Sequence, residues 1–463
     1  MYPILQNRWQ IEGQTLKYYG LRKKPNTFKT RLWINKREKR LLQQMDGTRP
    51  LEDFSCTRRM KKWIKQGIIV DVKDYIKLKN SWDEASFCKR CVANDFMIPG
   101  LELDEEGLCP ICSNHERFKN YTHILPKVST LPRSSRSAFD VALFYTGGKD
   151  SSYLLYYLSK VLKLRVAALT WEIPFMSLSA VQSIERAKAY LPDVTFISKR
   201  IEAKDLSKVY KKLYTLQGNT CACPSLAYVL FYPLMVEEKI PYLIVGNEPA
   251  QVKGLLFNQM APAFTYKWGQ HIHHLINIGR LLTGHKPFKA GQFQMYMSIR
   301  QLVFPIKSIL GYENHLVNHV CEALQEVPHL LEPLKQALKV SSRSGNIPAF
   351  VHIDLNEISQ EGTYKWDEIK EVLQEEIGWV DVEEASKGLH TSCKVEQGKE
   401  YSQFIRFRQM KTQMIPFSAL ELSIAVGMGN VDREKALEEL KSSSGFVLEE
   451  PEALRLMERA CKL

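Results

Sequence analysis

The stretch from Asp140 to Ser152 reads DVALFYTGGKDSS and decides the fold. Its apolar run, Val141 to Tyr145, has the length and residue types of a buried parallel strand. The run ends at Thr146-Gly147-Gly148, and apolar residues recur at helical spacing from Ser151 onward. A glycine pair between a strand and a helix lets the chain turn tightly and presents backbone N–H groups to an anion. The stretch predicts a phosphate-binding loop. It is not a Walker A loop, because the spacing between the glycines differs.

This loop resembles the PP-loop of the ATP pyrophosphatases, whose usual form is Ser-Gly-Gly-x-Asp-Ser. Thr146 replaces the leading serine and keeps its hydroxyl, while Gly147, Gly148, Asp150 and Ser151 match. The resemblance implies a HUP-type parallel sheet that binds ATP with Mg²⁺. It also implies an enzyme that cleaves ATP between the α and β phosphates. Such enzymes adenylate a carbonyl or amide oxygen, release pyrophosphate, and let a nitrogen or sulfur nucleophile displace AMP.

The same resemblance implies roles for individual residues. Asp150 would position the loop or the Mg²⁺ ion, and Lys149 would contact the phosphates, so both are candidate catalytic residues. The adenine would lie at the end of the second strand. The residues expected to bind the nucleotide are Thr146, Gly147, Gly148, Lys149, Asp150, Ser151, Thr170, Trp171 and Gly246.

Strand and helix patterns alternate around this loop. After the first strand, strand-like runs occur at 165–171, 194–197 and 242–245, with helical stretches between them. This order is typical of an open parallel sheet in an α/β domain. We predict a PP-loop ATP-binding domain over 138–255 and a mainly helical region over 256–463.

Two cysteine pairs precede the loop. Cys88 and Cys91 form one C-x₂-C pair, and Cys109 and Cys112 form the other. This spacing predicts a four-cysteine zinc knuckle over 86–116, and four thiolates with no open position indicate a structural metal. An iron–sulfur cluster is the alternative, since four thiolates also suit it.

The knuckle and the loop together resemble the N-acetyl sugar amidotransferases. The similarity covers roughly 86–255 and includes the run Ile244 to Pro249. It extends loosely to Tyr364-Lys365-Trp366, for which we expect surface packing. Residues 1–80 lie outside the pattern. Their helix, Asp-Gly turn, helix, glycine and short strand predict a basic winged-helix domain, similar to the small PqqD-type docking domains.

Cys221-Ala222-Cys223 precedes a helical stretch and is expected at the sheet edge where the target of the nucleotide binds. Sulfur-inserting PP-loop enzymes carry a persulfide or a cluster in this region, so Cys221 and Cys223 are candidate catalytic residues. Packing as small apolar residues is the alternative.

Three functions therefore stay open. The first is an amidotransferase, which would need a separate glutaminase partner because no Cys-centred triad is legible in the sequence. The second is a thiotransferase acting on a tRNA, a peptide or a small molecule. The third is a non-catalytic module that binds peptide or nucleic acid. The acceptor of the first could be a sugar or a related biosynthetic compound.

Composition limits the class of protein. The chain has 463 residues, 44% of them hydrophobic, and no run of eighteen apolar residues, so we expect no membrane span. No signal peptide is recognisable and cysteines do not dominate, which favours a cytoplasmic protein. The first 80 residues hold 20 of the 64 Lys and Arg and 7 of the 51 Asp and Glu, so the remaining 383 hold 44 of each sign. The net charge of +13 thus resides at the N-terminal end, where an acidic partner is expected to dock.

Overall fold

The computed structural model describes residues 1–19, 31–113, 128, 131–246, 251, 270–304, 317–381, 394–410, 416–442 and 449–461. Its strands are β1 (Pro3–Leu5), β2 (Trp9–Glu12), β3 (Thr15–Tyr18), β4 (Arg31–Trp33), β5 (Ile69–Asp71), β6 (Val141–Phe144), β7 (Val166–Trp171), β8 (Thr195–Lys199), β9 (Tyr242–Val245) and β10 (Ala349–His352). Its α-helices are α1 (Lys36–Gln44), α2 (Arg58–Lys65), α3 (Pro110–Ser113), α4 (Lys149–Tyr156), α5 (Leu178–Tyr190), α6 (Ala203–Gln217), α7 (Ser225–Glu237), α8 (Gln270–Leu282), α9 (Gln292–Val303), α10 (Asn318–Ala323), α11 (Glu332–Ser344), α12 (Trp366–Ile377), α13 (Val395–Arg408), α14 (Phe417–Met428), α15 (Arg433–Ser442) and α16 (Glu452–Cys461).

The chain divides into two compact units. The first comprises Met1–Arg117, Gln403–Met428 and Asp432–Lys441, and the second comprises Phe118–Ser402, Gly429–Val431 and Ser442–Leu463. Among the described helices, none is both long enough and apolar enough to cross a membrane.

The second unit is built on a five-stranded parallel sheet with the order β10-β9-β6-β7-β8. Apolar side chains of its central strand β6 alternate between two cores because successive side chains of a strand point to opposite faces. Val141 and Leu143 pack with α4, α5 and α12, whereas Ala142 packs with α6, α7, α9 and α11. The protein is therefore mixed α/β, with helices on both faces of a parallel sheet, as expected.

The strand predictions hold closely, with one addition. The four predicted strands correspond to β6, β7, β8 and β9. The fifth strand, β10, was not predicted, because it comes from the region read as mainly helical and pairs with β9, about a hundred residues earlier in the chain.

The order of the strands creates a crevice. In chain order, β6 is the first strand of the sheet, β7 follows it on one side, and β9 lies on its other side. The connection after β6 therefore leads to β7 on one side, whereas the connection after β9 leads to β10 on the other side. Open parallel sheets bind ligands at such a switch point, outside the carboxyl ends of the strands.

The first unit has its own apolar core at the N-terminal end. Trp9, Leu16, Met60 and Trp63 are fully buried in it, and β2, β3 and β4 form an antiparallel sheet beside α1 and α2. Asn35 caps α1 through a capping box with Glu38, which explains why the helix begins there. The helix–turn–helix–strand order from α1 to β5 is as predicted, and four strands that were not predicted, β1 to β4, precede it.

Candidate functional site

The glycine loop lies at the carboxyl end of β6, at the crevice. Gly147 adopts φ 74°, and a Cβ placed there would lie 2.4 Å from the backbone oxygen of Ala180. Only glycine fits this position without strain. Gly148 is the N-cap of α4 and has no side chain with which to cap it. The N–H groups of the first turn therefore point toward the crevice at the positive end of the helix, where an anion binds favourably.

Two hydroxyl groups hold the loop in shape. The Thr146 Oγ1 and Ser151 Oγ atoms are 3.1 Å apart, and the Ser151 hydroxyl donates to the Gly148 carbonyl at 3.0 Å. The Gly148 N–H donates to Thr146 Oγ1 at 3.4 Å. The Thr146 hydroxyl thus takes part in the hydrogen bonds that hold the loop.

A charged pair follows the glycines. Asp150 Oδ1 accepts hydrogen bonds from Lys149 Nζ at 2.5 Å and from the Tyr364 hydroxyl at 2.9 Å. The Lys149 ammonium also lies 4.3 Å from the ring centre of Tyr364 and 4.8 Å from that of Trp366. These contacts orient a cation and a carboxylate beside the loop.

The expectation of surface packing is wrong for Tyr364. Its side chain is fully buried, and its hydroxyl contacts the loop that starts more than two hundred residues earlier. Trp379 is a second distant anchor, because its indole Nε1 donates to the Gly147 carbonyl at 3.0 Å. The loose resemblance at Tyr364-Lys365-Trp366 pointed to the first region without indicating the contact, and no local pattern pointed to Trp379.

The other predicted nucleotide residues surround the same sheet edge. Thr170 lies near the end of β7, and its hydroxyl donates to the Tyr145 carbonyl at 3.0 Å. Trp171 ends β7, and its buried indole Nε1 has no hydrogen-bond partner in the described part of the chain. Gly246 follows β9, where a Cβ would lie 1.8 Å from Leu154 Cδ1. The motif residues 247–249 lie outside the described residues.

His352, which no sequence pattern indicated, is the last residue of β10. Both ring nitrogens of His352 are buried and have no hydrogen-bond partner in the described ranges. Burial lowers the pKa of His352 to about 4, so the ring is neutral at pH 7. A neutral imidazole therefore stands at the carboxyl edge of the sheet.

The four predicted cysteines come together in the first unit. Their sulfur atoms all lie within 4.8 Å of one another, and the four side chains are buried. The Sγ atoms of Cys91 and Cys109 are 3.6 Å apart. A tetrahedral zinc site with Zn–S bonds of about 2.3 Å requires sulfur–sulfur separations of about 3.8 Å. The group can therefore hold a metal ion such as zinc.

The backbone around the sulfur atoms is arranged for thiolates. The N–H of Ala93 donates to Cys91 Sγ at 3.4 Å, and the N–H of Cys109 donates to Cys88 Sγ at 3.3 Å. The Arg433 guanidinium reaches the carbonyl oxygens of Cys91 and Cys88, at 3.4 and 3.5 Å. Donors and a cation beside the four sulfur atoms would offset the negative charge of thiolate ligands to a metal.

Cys221 and Cys223 lie in the loop between α6 and α7, as predicted. Cys223 is exposed and Cys221 is half-buried. Cys221 packs against the same apolar cluster as Ile173 and Phe175, which follow β7, so it lies near the carboxyl edge of the sheet. Burial and the nearby Glu396 carboxylate raise the pKa of Cys221 to about 11, which keeps it a thiol at pH 7.

Comparison with protein-family models finds no match, and neither does comparison with curated proteins. The fold and the side-chain geometry are thus the grounds on which a function is inferred.

Proposed function

We propose that the protein is an ATP pyrophosphatase with a HUP-type PP-loop domain, which activates an acceptor carbonyl or amide by adenylation and then aminates it. The observation that carries the proposal is the position of the loop Thr146–Ser151. It follows the central strand at the switch point of a parallel sheet and opens a helix whose N-cap is glycine.

The loop residues suit a polyphosphate. The N–H groups at the start of α4 and the Lys149 ammonium would bind phosphate oxygens, and a side chain at Gly147 would fill the cradle. Asp150, whose carboxylate Tyr364 and Lys149 orient, would help to hold Mg²⁺. The ion would neutralise charge on the phosphates. Trp171, whose indole N–H lacks a partner in the described chain, would face the adenine end of the ligand.

In-line attack by the acceptor oxygen on the α-phosphate would release pyrophosphate. Lys149 and the backbone amides would stabilise the charge that develops on the phosphate oxygens. Tyr364 and Trp379 would keep the loop in place during this step, because they fix the Asp150 carboxylate and the Gly147 carbonyl.

Ammonia is the nucleophile that the resemblance to the N-acetyl sugar amidotransferases implies. Sulfur transfer through the exposed Cys223 is the second candidate. The acceptor class follows from resemblance alone, with an N-acetyl sugar first and a peptide or tRNA as alternatives.

Two accessory roles complete the proposal. The four-cysteine group would bind one structural Zn²⁺, since its sulfur atoms leave no open position. The N-terminal region would dock an acidic acceptor or carrier. It exposes the basic side chains of α1 and α2, which are Lys36, Arg37, Arg40, Arg58, Lys61, Lys62 and Lys65.

The nucleophile is tested by pyrophosphate release. The full-length protein would be incubated with Mg-ATP and a panel of N-acetyl sugars, with either ammonium chloride or sodium sulfide added. We expect pyrophosphate release and an aminated product with ammonium chloride. A product that contains sulfur, formed by the wild type and lost in Cys223→Ser, would instead establish the thiotransferase.

A further inference from the structure

A second cluster of titratable side chains lies in the second unit and involves none of the loop residues. The Sγ atom of Cys221 is 3.8 Å from Glu396 Oε1, and the other carboxylate oxygen of Glu396 is 2.6 Å from Lys399 Nζ. Glu396 and Lys399 are three residues apart in α13 and so share one helix face. A thiol, a carboxylate and an ammonium group thus form a continuous chain of contacts.

The cluster is largely shielded from water. The side chain of Glu396 is 11% exposed and that of Lys399 is 20% exposed. Burial acts to lower the pKa of Lys399, but the Glu396 carboxylate outweighs it and raises the pKa above its ordinary value. Lys399 is therefore protonated and Glu396 has a fixed counter-ion. The energy of such interactions is greater here than at the surface.

The thiol is held in place by the loop that carries it. Asn219 Oδ1 accepts the Cys221 N–H at 3.0 Å, and the Gln217 side chain donates to the Cys221 carbonyl at 3.0 Å. Asn219 also donates to the hydroxyl of Ser402, in the helix that carries Glu396, at 2.6 Å. The loop and the helix are therefore fixed to each other next to the cluster.

The cluster lies near the carboxyl edge of the sheet, the edge at which open parallel sheets bind ligands. Cys221 packs against the same small apolar core as Ile173 and Phe175. The N–H of Lys394, just before α13, donates to the Phe175 carbonyl at 2.8 Å. These residues follow β7, whose carboxyl end lies at the same edge as the glycine loop, since the strands are parallel. Cys221 itself is half-buried.

We propose that Cys221, Glu396 and Lys399 form an amidohydrolase site that releases ammonia from a primary carboxamide, such as the side-chain amide of free glutamine. This inference rests on the proposed function and supplies its nitrogen. A nucleophile within reach of a base, with the base oriented by a third group, is the general signature of nucleophilic catalysis.

The reaction divides into two steps. Glu396 takes the proton from Sγ as the sulfur attacks the amide carbon, and Lys399 stabilises the oxyanion. Glu396 then gives that proton to the amide nitrogen, the C–N bond breaks, and ammonia leaves a thioester on Cys221. Water, deprotonated by Glu396, attacks the thioester and regenerates the thiol. The net change is carboxamide plus water to carboxylate plus ammonium, with no oxidant or reductant.

The raised pKa of Cys221 fits this sequence. The resting thiol must lose its proton only when the amide is bound, and Glu396 is positioned to take it. The S···O distance of 3.8 Å is long for a hydrogen bond, as is common for a catalytic pair without substrate. An ordinary i,i+3 ion pair beside a packed cysteine would show the same contacts but no reaction.

The test measures ammonia released from L-glutamine and L-asparagine by the full-length protein, with and without Mg-ATP. We expect release by the wild type and a loss of at least about a thousandfold in Cys221→Ser and in Glu396→Gln. Cys321→Ser, at a buried cysteine in the same unit, is the matched control and should retain the wild-type rate.

A covalent probe keeps the test independent of stability. The glutamine analogue 6-diazo-5-oxo-L-norleucine should alkylate Cys221 in the folded wild type, as seen by mass spectrometry of the peptide, and should leave Cys223 unmodified. Equal ammonia release by the wild type and Cys221→Ser, or no release from either amide, would overturn the inference. Pyrophosphate release tests the adenylation step separately, because Cys221→Ser should still release pyrophosphate when ammonium chloride is supplied.

Discussion

The glycine loop and the four-cysteine group are both short sequence signatures, yet their surroundings differ. The loop presents polar groups to a crevice, and Asp150 keeps 25% of its side chain exposed. The four cysteines are between 0% and 7% exposed, and backbone N–H groups contact their sulfur atoms. A charged side chain that is partly exposed is suited to a reaction, whereas four buried sulfur donors are suited to a structural metal.

The two regions should therefore respond differently to mutation. A change in the loop should abolish nucleotide chemistry while the fold persists. A change in the cysteine group should destabilise the fold before it alters nucleotide chemistry. Two measurements test this distinction directly, and two more test contacts elsewhere in the two units.

The largest expected effect is on the loop. Asp150→Ala should lower the rate of pyrophosphate release at least about a thousandfold, or about 4 kcal/mol of transition-state stabilisation. The free energy of unfolding should fall by no more than about 1 kcal/mol, since the side chain is partly exposed. Asp193→Ala, an exposed acid in the same unit, is the control. Retention of activity by Asp150→Ala would remove Asp150 from the site.

The cysteine group should respond in the opposite way. Cys109→Ser should reduce bound zinc from about one per chain to near zero and lower the free energy of unfolding by at least about 3 kcal/mol. Metal analysis and urea unfolding measure the two quantities, and Cys56→Ser, in the same unit but outside the group, should change neither. Iron without zinc in the anaerobically purified wild type would refute the zinc assignment.

Asp140, at the start of the strand that carries the loop, should affect stability with a defined pH dependence. Burial would raise its pKa, but hydrogen bonds from Arg165 and from the Ser134 N–H outweigh this and lower the pKa to about 2. A lowered carboxylate pKa stabilises the fold above the unfolded value near 4, and the contribution is lost as the pH falls toward 2. Asp140→Asn should thus cost about 2 kcal/mol at pH 7.

Urea unfolding at pH 7, 5, 4 and 3 checks this. The gap between the wild type and Asp140→Asn should be constant from pH 7 to 5 and should narrow at pH 4 and 3. A gap that widens on acidification would contradict the pairing with Arg165. Asp193→Asn, at an exposed position, should show no gap.

The smallest expected effect concerns the basic N-terminal region. Lys36→Glu/Arg40→Glu should weaken binding of a fluorescent poly-glutamate peptide about tenfold at low salt, and the difference should shrink as screening increases. Lys204→Glu/Lys208→Glu, an exposed pair at the same helical spacing in the second unit, is the control. Equal binding by all three proteins, or tighter binding of single-stranded RNA than of the peptide by the wild type, would reject docking of an acidic peptide.

Local patterns predicted the parts of the protein that are continuous in sequence. The apolar runs before the loop and at β7 to β9 identified strands, and C-x₂-C spacing identified the cysteine group. In each case the deciding residues are neighbours along the chain, so periodicity or spacing carries the signal.

The remaining features depend on contacts between distant residues. The run Ala349–His352 is too short to stand out in a helical region, and only its pairing with β9 makes it a strand. Tyr364 was expected to pack at the surface, and only the fold shows that its hydroxyl contacts Asp150. Glu396 and Lys399 read as an ordinary helix pair, because nothing in the sequence joins them to Cys221, 175 positions earlier.

We propose above all that the loop Thr146–Ser151 directs cleavage of ATP between its α and β phosphates. The most direct measurement incubates the wild type with ATP labelled at the α-phosphate, Mg²⁺, ammonium chloride and the N-acetyl sugar panel, and separates the products by chromatography. We expect labelled AMP and an equal amount of unlabelled pyrophosphate from the wild type, and loss of both products in Asp150→Ala. Labelled ADP with inorganic phosphate would contradict it.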